Sequence, residues 1–423
     1  MSDRAHNSPM RRAWLAVALL WLAACMDYLT RVMLTTMHTS IVAAVPMSEA
    51  QFGLLTSSFL WVYGFVSPLA GFVSDRFSRS RVIALSLCAW SLLTFLTGYA
   101  RTFPELMAMR ALMGLSQACY LPAALALITE YHRGHTRSLA TGVHMTGIMF
   151  GAGLGGLGGW IADRQGWQFA FTSVGTVGLA YSVVLWFCLH DTERETHPAA
   201  TAAGSAPVNF REALQSLFSQ GGFIIATVFW GLLGFVSWAV TGWMPTLVQE
   251  RFHLGQGAAG FSASGYISIA SLIGVLFSGA WADRWSRTRP AARIYVPVIG
   301  TCLAAPGILI VAHTAFLGWA IVGLVLYGFT RVFSDSNMMP IMCLVSNPRY
   351  RATGYGVLNF LSCICGGLAI YAGGALRDRQ VDFAAVLGYA ALGMILCAGL
   401  LLFIKTGPAP QSAGSPLLEP PVP

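Results

Sequence analysis

Long apolar stretches alternate with short polar connections along almost the whole chain. Twelve of them come close to or exceed the roughly 20 mainly apolar residues that a helix needs to cross a bilayer. The pattern predicts an all-α membrane protein with twelve transmembrane helices, six in each half. The predicted helices cover residues 13–37, 50–74, 82–100, 104–130, 138–162, 168–190, 221–248, 258–282, 293–313, 317–345, 351–375 and 383–405.

Two segments break this pattern. Residues 191–220 open with several charged side chains and continue as a run rich in Ala, Thr, Gly and Pro, a composition that cannot bury a core. We predict an exposed linker there, between an N-terminal six-helix bundle at 1–190 and a C-terminal six-helix bundle at 221–405. Residues 406–423 are rich in Pro, Ser and Gly, which predicts a disordered tail.

The end of the linker has a periodicity of its own. Phe210, Leu214, Leu217 and Phe218 lie at roughly helical spacing. This spacing is typical of an amphipathic helix on the membrane surface, and it is equally compatible with an extension of the seventh helix.

The composition excludes several classes of protein. Only 10% of the residues are charged, whereas a soluble domain normally has about 25%. The sequence pI is about 9.1, but the basic residues are scattered singly over short loops, which argues against nucleic-acid binding. The nine cysteines fall within apolar stretches without disulfide or zinc spacing, so we expect buried free thiols and no metal. We find no catalytic motif, and we predict neither an enzyme nor a cofactor.

The basic residues also predict the orientation. If the N-terminus is inside, 17 of the 25 basic residues lie on the inner side and five lie on the outer side. Because Lys and Arg are retained in the cytoplasm, both termini and the linker are predicted to be cytoplasmic. Abundant Arg with a single Lys suggests a GC-rich genome and a bacterial inner membrane.

A basic turn at residues 71–81 recurs 208 positions later, at residues 279–289. Each copy closes an apolar stretch, which indicates two related membrane halves. The aspartate of each turn can accept hydrogen bonds from backbone amides or guanidinium groups of a neighbouring helix. We predict a gating latch on the cytoplasmic side, formed by Asp75, Arg76, Arg79, Arg81, Asp283, Arg284, Arg287 and Arg289.

The paired Gly-x-x-x-Asp-Arg-x-x-x-x-Arg turns resemble the cytoplasmic signature of the major facilitator superfamily. The resemblance extends over nearly the whole chain, because the number of helices and the repeat agree as well. It implies two six-helix bundles related by pseudo-symmetry around a central cavity, which work by alternating access.

A second set of residues resembles the anion:cation symporter branch, which includes sialic acid, hexuronate and galactonate carriers. These residues are Tyr28 to Arg31, Arg110 in the fourth helix, and the Gly-Trp-Gln-Phe-Ala-Phe run at 166–171. The branch usually has acids, thought to carry protons, where this chain has Thr30 and Gln117. Its proton-coupling residues therefore cannot be transferred to this chain.

Five ionisable residues lie inside the predicted helices, where each costs roughly 3 kcal/mol to bury. Asp27 and Arg31 are four residues apart, as are Arg331 and Asp335, so each acid shares a helical face with an arginine. Each pair is either a structural ion pair or a switch in which protonation of the acid frees the arginine for an anion. Arg110 has no acid at helical spacing inside its span, which predicts a fixed positive site.

The internal repeat adds further candidates. Gln117 and Asp335 have equivalent positions relative to Pro122 and Pro340, which makes Asp335 the preferred proton carrier, with Asp27 as the second. His144 is either another proton site or a packing residue, and Tyr120 is either a binding or a packing residue. The predicted substrate-binding residues are Arg31, Arg110, Arg331, Tyr28, Tyr120, His144, Asn359 and Gln117.

These features predict a secondary active transporter for a small organic anion, a sugar acid or another carboxylate, with proton symport. Its partners are the anion, protons and the bilayer, and it is expected to be a monomer. Two alternatives remain open. One is a facilitator or exporter of amphipathic molecules such as lysolipids or drugs, and the other is a sensor of the same fold that does not transport.

Overall fold

The computed structural model describes residues 3–132, 136–191, 210–289, 291–347 and 350–404. Within these ranges the secondary structure is helical and contains no strand. The predicted disordered tail at 406–423 lies outside them. The side chains of residues 71–75, and with them the carboxylate of Asp75, also lie outside the description.

Nine helices are described in the first half of the chain. They are α1 (Asp3–Thr36), α2 (His38–Ala44), α3 (Glu49–Arg76), α4 (Arg79–Thr97), α5 (Phe103–Ala118), α6 (Tyr120–Tyr131), α7 (Arg137–Gly153), α8 (Gly156–Gln165) and α9 (Trp167–Cys188).

Nine more are described after the first half, and a π-helical turn, Phe261–Gly265, joins α12 to α13. They are α10 (Phe210–Phe218), α11 (Gly221–Phe252), α12 (Gln256–Gly260), α13 (Tyr266–Ser286), α14 (Ala292–His313), α15 (Leu317–Arg331), α16 (Phe333–Val345), α17 (Arg351–Asp378) and α18 (Phe383–Leu402).

These helices build twelve candidate membrane spans, each long and apolar enough to cross a bilayer. Each coincides with one predicted helix, which confirms the predicted number of spans and describes a multi-pass membrane protein. In chain order, spans 1 to 12 are Met10–Thr36, Glu49–Ala70, Arg79–Thr97, Phe103–Tyr131, Leu139–Gln165, Trp167–Cys188, Gly221–Phe252, Gln256–Ser286, Ala292–His313, Leu317–Val345, Thr353–Asp378 and Ala384–Leu402.

Three spans that the sequence predicts as single helices are interrupted. Span 4 breaks at Cys119, span 5 between Gly153 and Gly156, and span 10 at Val332. In span 4 the reason is local, because Pro122 has no N–H to donate to the carbonyl of Ala118. Hydropathy does not register such breaks, since the residues on both sides are apolar.

Each half has its own buried apolar cluster. The cluster in spans 1–6 contains large side chains such as Phe52, Trp90 and Tyr120, and the one in spans 7–12 contains Phe229 and Met394 among others. Other large apolar side chains, spread along the outer faces of the bundle, are exposed. Such a surface suits contact with lipid tails, which are themselves apolar, so that exposing these side chains to them costs little free energy.

The cysteines depart partly from the prediction. All nine are free, but Cys188, Cys302 and Cys343 are exposed, and only Cys25, Cys363 and Cys397 are fully buried. The expectation of buried thiols was wrong for the exposed three because an apolar stretch in a membrane helix has a lipid-facing side as well as a packed side.

The linker contains a separate helix. Helix α10 ends at Phe218, and α11 begins only at Gly221. The buried side chains of α10 are Ala213 and Leu217, which belong to the apolar cluster of the second half. The hydroxyl of Tyr350 donates a hydrogen bond of 2.6 Å to Glu212. The structure therefore has the separate helix, and α10 is attached to the second half.

Because consecutive spans alternate in direction, the bundle has two ends. We call the end with the N-terminus, both basic turns and α10 the terminal end, and the opposite one the distal end. At the distal end the two halves are in intimate contact. A Cβ atom on Gly374 would lie 2.1 Å from the carbonyl oxygen of Glu49, and one on Gly156 would lie 2.4 Å from the amide nitrogen of Phe261. Glycine is required at both positions for this approach.

At the terminal end, two ion pairs of the basic turns each join residues of the same half. Arg79 pairs with Glu130, and Asp283 lies 3.6 Å from Arg293. Asp191 accepts hydrogen bonds from the hydroxyl of Ser78 and the amide of Ser80. The side chains of Arg76, Arg81, Arg284, Arg287 and Arg289 are exposed. The predicted latch between the halves stays a prediction.

Candidate functional site

A buried ion pair lies in the middle of α1. Asp27 is 4% exposed and Arg31 is 6% exposed, and the Nη2 of Arg31 donates a hydrogen bond of 3.2 Å to the Oδ2 of Asp27. The i,i+4 spacing places both side chains on one helical face, as the sequence predicts. Within the described residues, the Oδ1 of Asp27 has no hydrogen-bond partner. The pair is therefore incompletely satisfied on the acid side.

A neutral pair of side chains connects this ion pair to span 4. Gln117 accepts a hydrogen bond of 3.3 Å from the Nη2 of Arg31 and donates one of 3.1 Å to the hydroxyl of Thr30. The hydroxyl of Thr30 in turn donates to the backbone carbonyl of Asp27. The two positions where the symporter branch usually carries acids are thus in direct contact, and here they are uncharged.

Aromatic rings surround the Arg31 guanidinium. Its central carbon lies 4.4 Å from the ring centre of Tyr28 and 4.8 Å from those of Phe59 and Tyr63. The Arg110 guanidinium lies 5.0 Å from the same Phe59 ring. Phe59 therefore contacts both cations, which cation–π attraction stabilises. Phe59 was not among the predicted site residues, because a phenylalanine in an apolar span cannot be told from a packing residue by sequence.

Arg110 is the most isolated cation of the site. It is 2% exposed, its Nη1 faces the sulfur of Met113 at 3.8 Å, and its Nε has no hydrogen-bond partner in the part of the chain that the structure describes. Among the described side chains no carboxylate pairs with it. Burying a charge without a partner costs about 3 kcal/mol or more. A buried arginine of this kind is therefore expected to bind an anion or to have another function.

Arg31 and Arg110 line the same small cavity, which lies between the two halves. Its remaining wall is mainly apolar, with three threonine hydroxyls. The principal lining residues besides the arginines are Thr35, Thr56 and Phe59 from the first half and Trp238, Thr241 and Ile370 from the second.

The second predicted pair is engaged differently. Arg331 contacts Asp335 through both terminal nitrogens, at 3.1 Å and 3.4 Å, and its Nε donates a hydrogen bond of 2.9 Å to Ser237. This pair is partly exposed and is not among the residues that line the cavity of Arg31 and Arg110. Tyr28 lies within electrostatic range of both ion pairs, so the two pairs border one central region.

Other predicted binding residues have packing contacts. The hydroxyl of Tyr120 donates a hydrogen bond of 2.7 Å to the carbonyl of Leu20, and its ring packs against Trp90. His144 is fully buried, with its ring 6.0 Å from that of Tyr120. Asn359 is partly buried in span 11. The structure does not bring Tyr120, His144 or Asn359 into the wall of the cavity.

In the described part of the chain, no group of three or more His, Cys, Asp or Glu side chains is arranged to hold a metal ion. At the centre, the buried guanidinium groups of Arg31 and Arg110 lie at one cavity, and among the described side chains only Arg31 has an acidic partner. Such a site is chemically suited to a small anion with a planar, two-oxygen group, because a guanidinium can donate two parallel hydrogen bonds to it.

Comparisons with known proteins agree with the fold. The sequence profile of the Major Facilitator Superfamily matches residues 20–370. A gallate transporter of Pseudomonas putida is 26% identical over 383 residues, which cover 84% of this chain and 83% of that protein. A D-galactonate transporter of Escherichia coli is 25% identical over 303 residues, or 65% of this chain and 68% of that protein.

Among solved structures, an inward-facing, unoccupied bacterial homologue of the human lysosomal transporter Spinster matches with a TM-score of 0.74 and 18% identity, covering 93% of this chain and 95% of that one. This likeness concerns the fold, and it confirms the predicted twelve-helix architecture. The relatives named as gallate and galactonate transporters confirm the resemblance to the anion:cation symporter branch. With 351 of its residues inside the family profile, the chain belongs to the Major Facilitator Superfamily of membrane transporters.

Proposed function

We propose that this protein transports a small organic carboxylate and that Arg110 and Arg31 bind the carboxylate group in the central cavity. The observation that carries the proposal is Arg110, a buried guanidinium at a cavity with no carboxylate partner among the described side chains. The relatives that carry gallate and galactonate, two carboxylates of different skeleton, support the same class of substrate.

The ion pair on α1 suggests how a proton is coupled to the substrate. While Asp27 is charged, it holds Arg31 through the 3.2 Å contact. Protonation of Asp27 removes the attraction and frees the Arg31 guanidinium to join Arg110 on the substrate carboxylate. Proton and anion then bind together, which is the requirement of symport. The unpartnered Oδ1 of Asp27 is an atom at which the proton can reside.

Asp335 is the second candidate for the proton. It is the more exposed of the two acids and holds Arg331 through two contacts. Protonation there would release Arg331 toward the central region that Tyr28 borders. Protonation of the two acids would have different effects on the site, because only Asp27 contacts an arginine that lines the cavity.

The proposed cycle is alternating access in a monomer of the bacterial inner membrane. The excess of basic residues at the terminal end supports a cytoplasmic location for that end and for both termini. In this orientation the contact between the halves at the distal end closes the site toward the outside. In the opposite state the basic turns would meet across the cytoplasmic side, as the repeat of Asp75 and Asp283 suggests.

A ligand screen by thermal shift tests the proposal. The panel contains hydroxybenzoates, sugar acids and dicarboxylates, each next to its uncharged amide, together with a lysolipid. We expect at least one acid to raise the melting temperature while its amide has no effect, because the site binds the charge. A shift with the lysolipid and with none of the acids would contradict the proposal and favour an exporter of amphipathic molecules.

A further inference from the structure

Two carboxylates at the distal end cross from one half of the protein to the other. The Oδ1 of Asp163, in the last turn of span 5, accepts from the amide of Gln256 at 3.3 Å, and its Oδ2 accepts from that of Gly257 at 2.9 Å. The Oδ1 of Asp378, at the end of span 11, accepts from the amide of Glu49 at 2.9 Å, and its Oδ2 accepts from that of Ala50 at 3.0 Å.

The two sets of contacts are equivalent. Gln256 and Gly257 are the first two residues of span 8, and Glu49 and Ala50 are the first two residues of span 2. Spans 2 and 8 precede the two basic turns and so hold corresponding places in the halves, as spans 5 and 11 also do. Each half therefore supplies one aspartate and receives the other, in each case at the first two residues of the receiving span.

The first amides of a helix have no partner within the helix, and that end carries a partial positive charge. A carboxylate from the same chain segment normally satisfies them as an N-cap. Span 8 cannot do this locally, because the residue before it is Gly255, which has no side chain. Here the cap comes from the opposite half, so the first two amides of span 8 have this partner only while the halves are together. Span 2 also has a local cap, because the hydroxyl of Ser48 accepts from the amide of Gln51 at 3.2 Å, but its first two amides bind Asp378.

The backbones approach closely enough to make this possible. A Cβ atom on Gly257 would lie 2.6 Å from the Cα of Trp160, in the same helical segment as Asp163. Gly374 lies equally close to Glu49, one turn from Asp378. Asp163 and Asp378 are themselves exposed. Contacts to water-accessible carboxylates are weak enough to break repeatedly, which a moving gate requires.

We infer that Asp163 and Asp378 are paired latch residues, which hold the distal end closed by capping the first turn of the opposite half and must both let go before that end can open. Other groups cross nearby: the Nε of Arg377 lies 3.4 Å from Glu49, and the side-chain amide of Gln256 donates to Asp163 and to Ser40. Among the described contacts, these three have no counterpart in the other half. The consequence of the latch for transport rests on the proposed function, whereas the latch itself does not.

Hydrogen–deuterium exchange on the full chain in lipid nanodiscs tests the inference without any substrate. We compare the wild type with Asp163→Ala, Asp378→Ala and the double variant. Each lost cap is worth about 5- to 30-fold in an opening equilibrium, so the double variant, which loses two, should exchange at least about 25-fold faster in the peptides that contain residues 49–50 and 256–257. Each single variant should accelerate exchange in both peptides, since the halves separate as rigid bodies.

Asp382→Ala is the matched control. Asp382 lies at the same end and caps the amide of Ala384 in its own half at 3.0 Å. Its loss should accelerate exchange only at the start of span 12. Asp163→Asn and Asp378→Asn keep one acceptor oxygen where each carboxylate uses two, so they should accelerate exchange at the same peptides to a smaller extent, and they serve if an alanine variant does not fold.

The latch is wrong if the double variant, in either its alanine or its asparagine form, retains wild-type protection at both crossing sites. It is also wrong if each single variant loosens only its own contact. Failure of the proposed function would look different: no carboxylate would stabilise the wild type, whatever the exchange pattern.

Discussion

Replacing Arg110 with alanine is expected to weaken carboxylate binding by about 30-fold or more and to remove transport at ordinary substrate concentrations. A charged contact of this kind in a desolvated site is worth about 2–5 kcal/mol, and each 1.4 kcal/mol is a factor of ten in affinity. The measurements are the carboxylate-dependent thermal shift and the uptake of labelled substrate into proteoliposomes.

The same variant should fold at least as well as the wild type in the absence of substrate. Removing one member of a buried ion pair leaves a charge behind, but Arg110 has no carboxylate partner among the described side chains, so its removal leaves none. Arg101→Ala is the matched control, because Arg101 lies at the start of the same span and is exposed. It should leave binding unchanged. Equal ligand shifts in the Arg110 and Arg101 variants would contradict the proposed site.

Arg110→Lys separates charge from shape. Lysine keeps the positive charge but lacks the planar fork that matches two carboxylate oxygens. We expect binding between that of the wild type and that of Arg110→Ala. Affinity equal to that of the wild type would mean that the site senses charge alone, and a neutral amide should then still fail to bind.

Replacing Asp27 with asparagine is expected to abolish accumulation driven by a pH gradient while preserving exchange of substrate between the two sides. Asparagine mimics the protonated acid, so Arg31 is permanently free to bind the anion but no proton is carried with it. Uphill uptake and counterflow in the same proteoliposomes measure the two activities. The counterflow rate should also lose its dependence on pH.

Asp335→Asn is the matched variant for this experiment. If Asp27 carries the proton, Asp335→Asn retains pH-driven accumulation. If Asp335 is the carrier, as its repeat-related position to Gln117 suggests, Asp335→Asn abolishes pH-driven accumulation and Asp27→Asn retains it. Uphill, pH-driven accumulation in the double variant would show that neither acid couples protons, and symport through these residues would be wrong.

The sequence was most informative where one physical requirement dominates. A bilayer demands about 20 apolar residues per helix, so the spans can be counted from hydropathy alone. The i,i+4 spacing of Asp27 and Arg31 and of Arg331 and Asp335 predicted ion pairs that the structure contains. These features are local, because a helix places such residues together whatever surrounds it.

The misses share a different cause. Phe59 contacts two guanidinium groups, yet its spacing is that of any core residue. For Tyr120 and His144 the sequence left a binding and a packing role open, and their described contacts are packing contacts inside the first half. Asp163 and Asp378 were not predicted as functional residues, because an aspartate at the end of a helix is common. Their role depends on their hydrogen-bond partners in the opposite half.

The sequence by itself determined the number of spans and the five charges that the membrane must accommodate, because both follow from the free energy of placing a given side chain in hydrocarbon. It also determined the basic turns and the two related halves, because these are a repeat of residues along the chain. Only the tertiary structure decided which arginines share a cavity, which aromatic ring contacts both cations, and which aspartates cap the other half. Those depend on different helices being brought together, and no local spacing along one helix encodes such contacts.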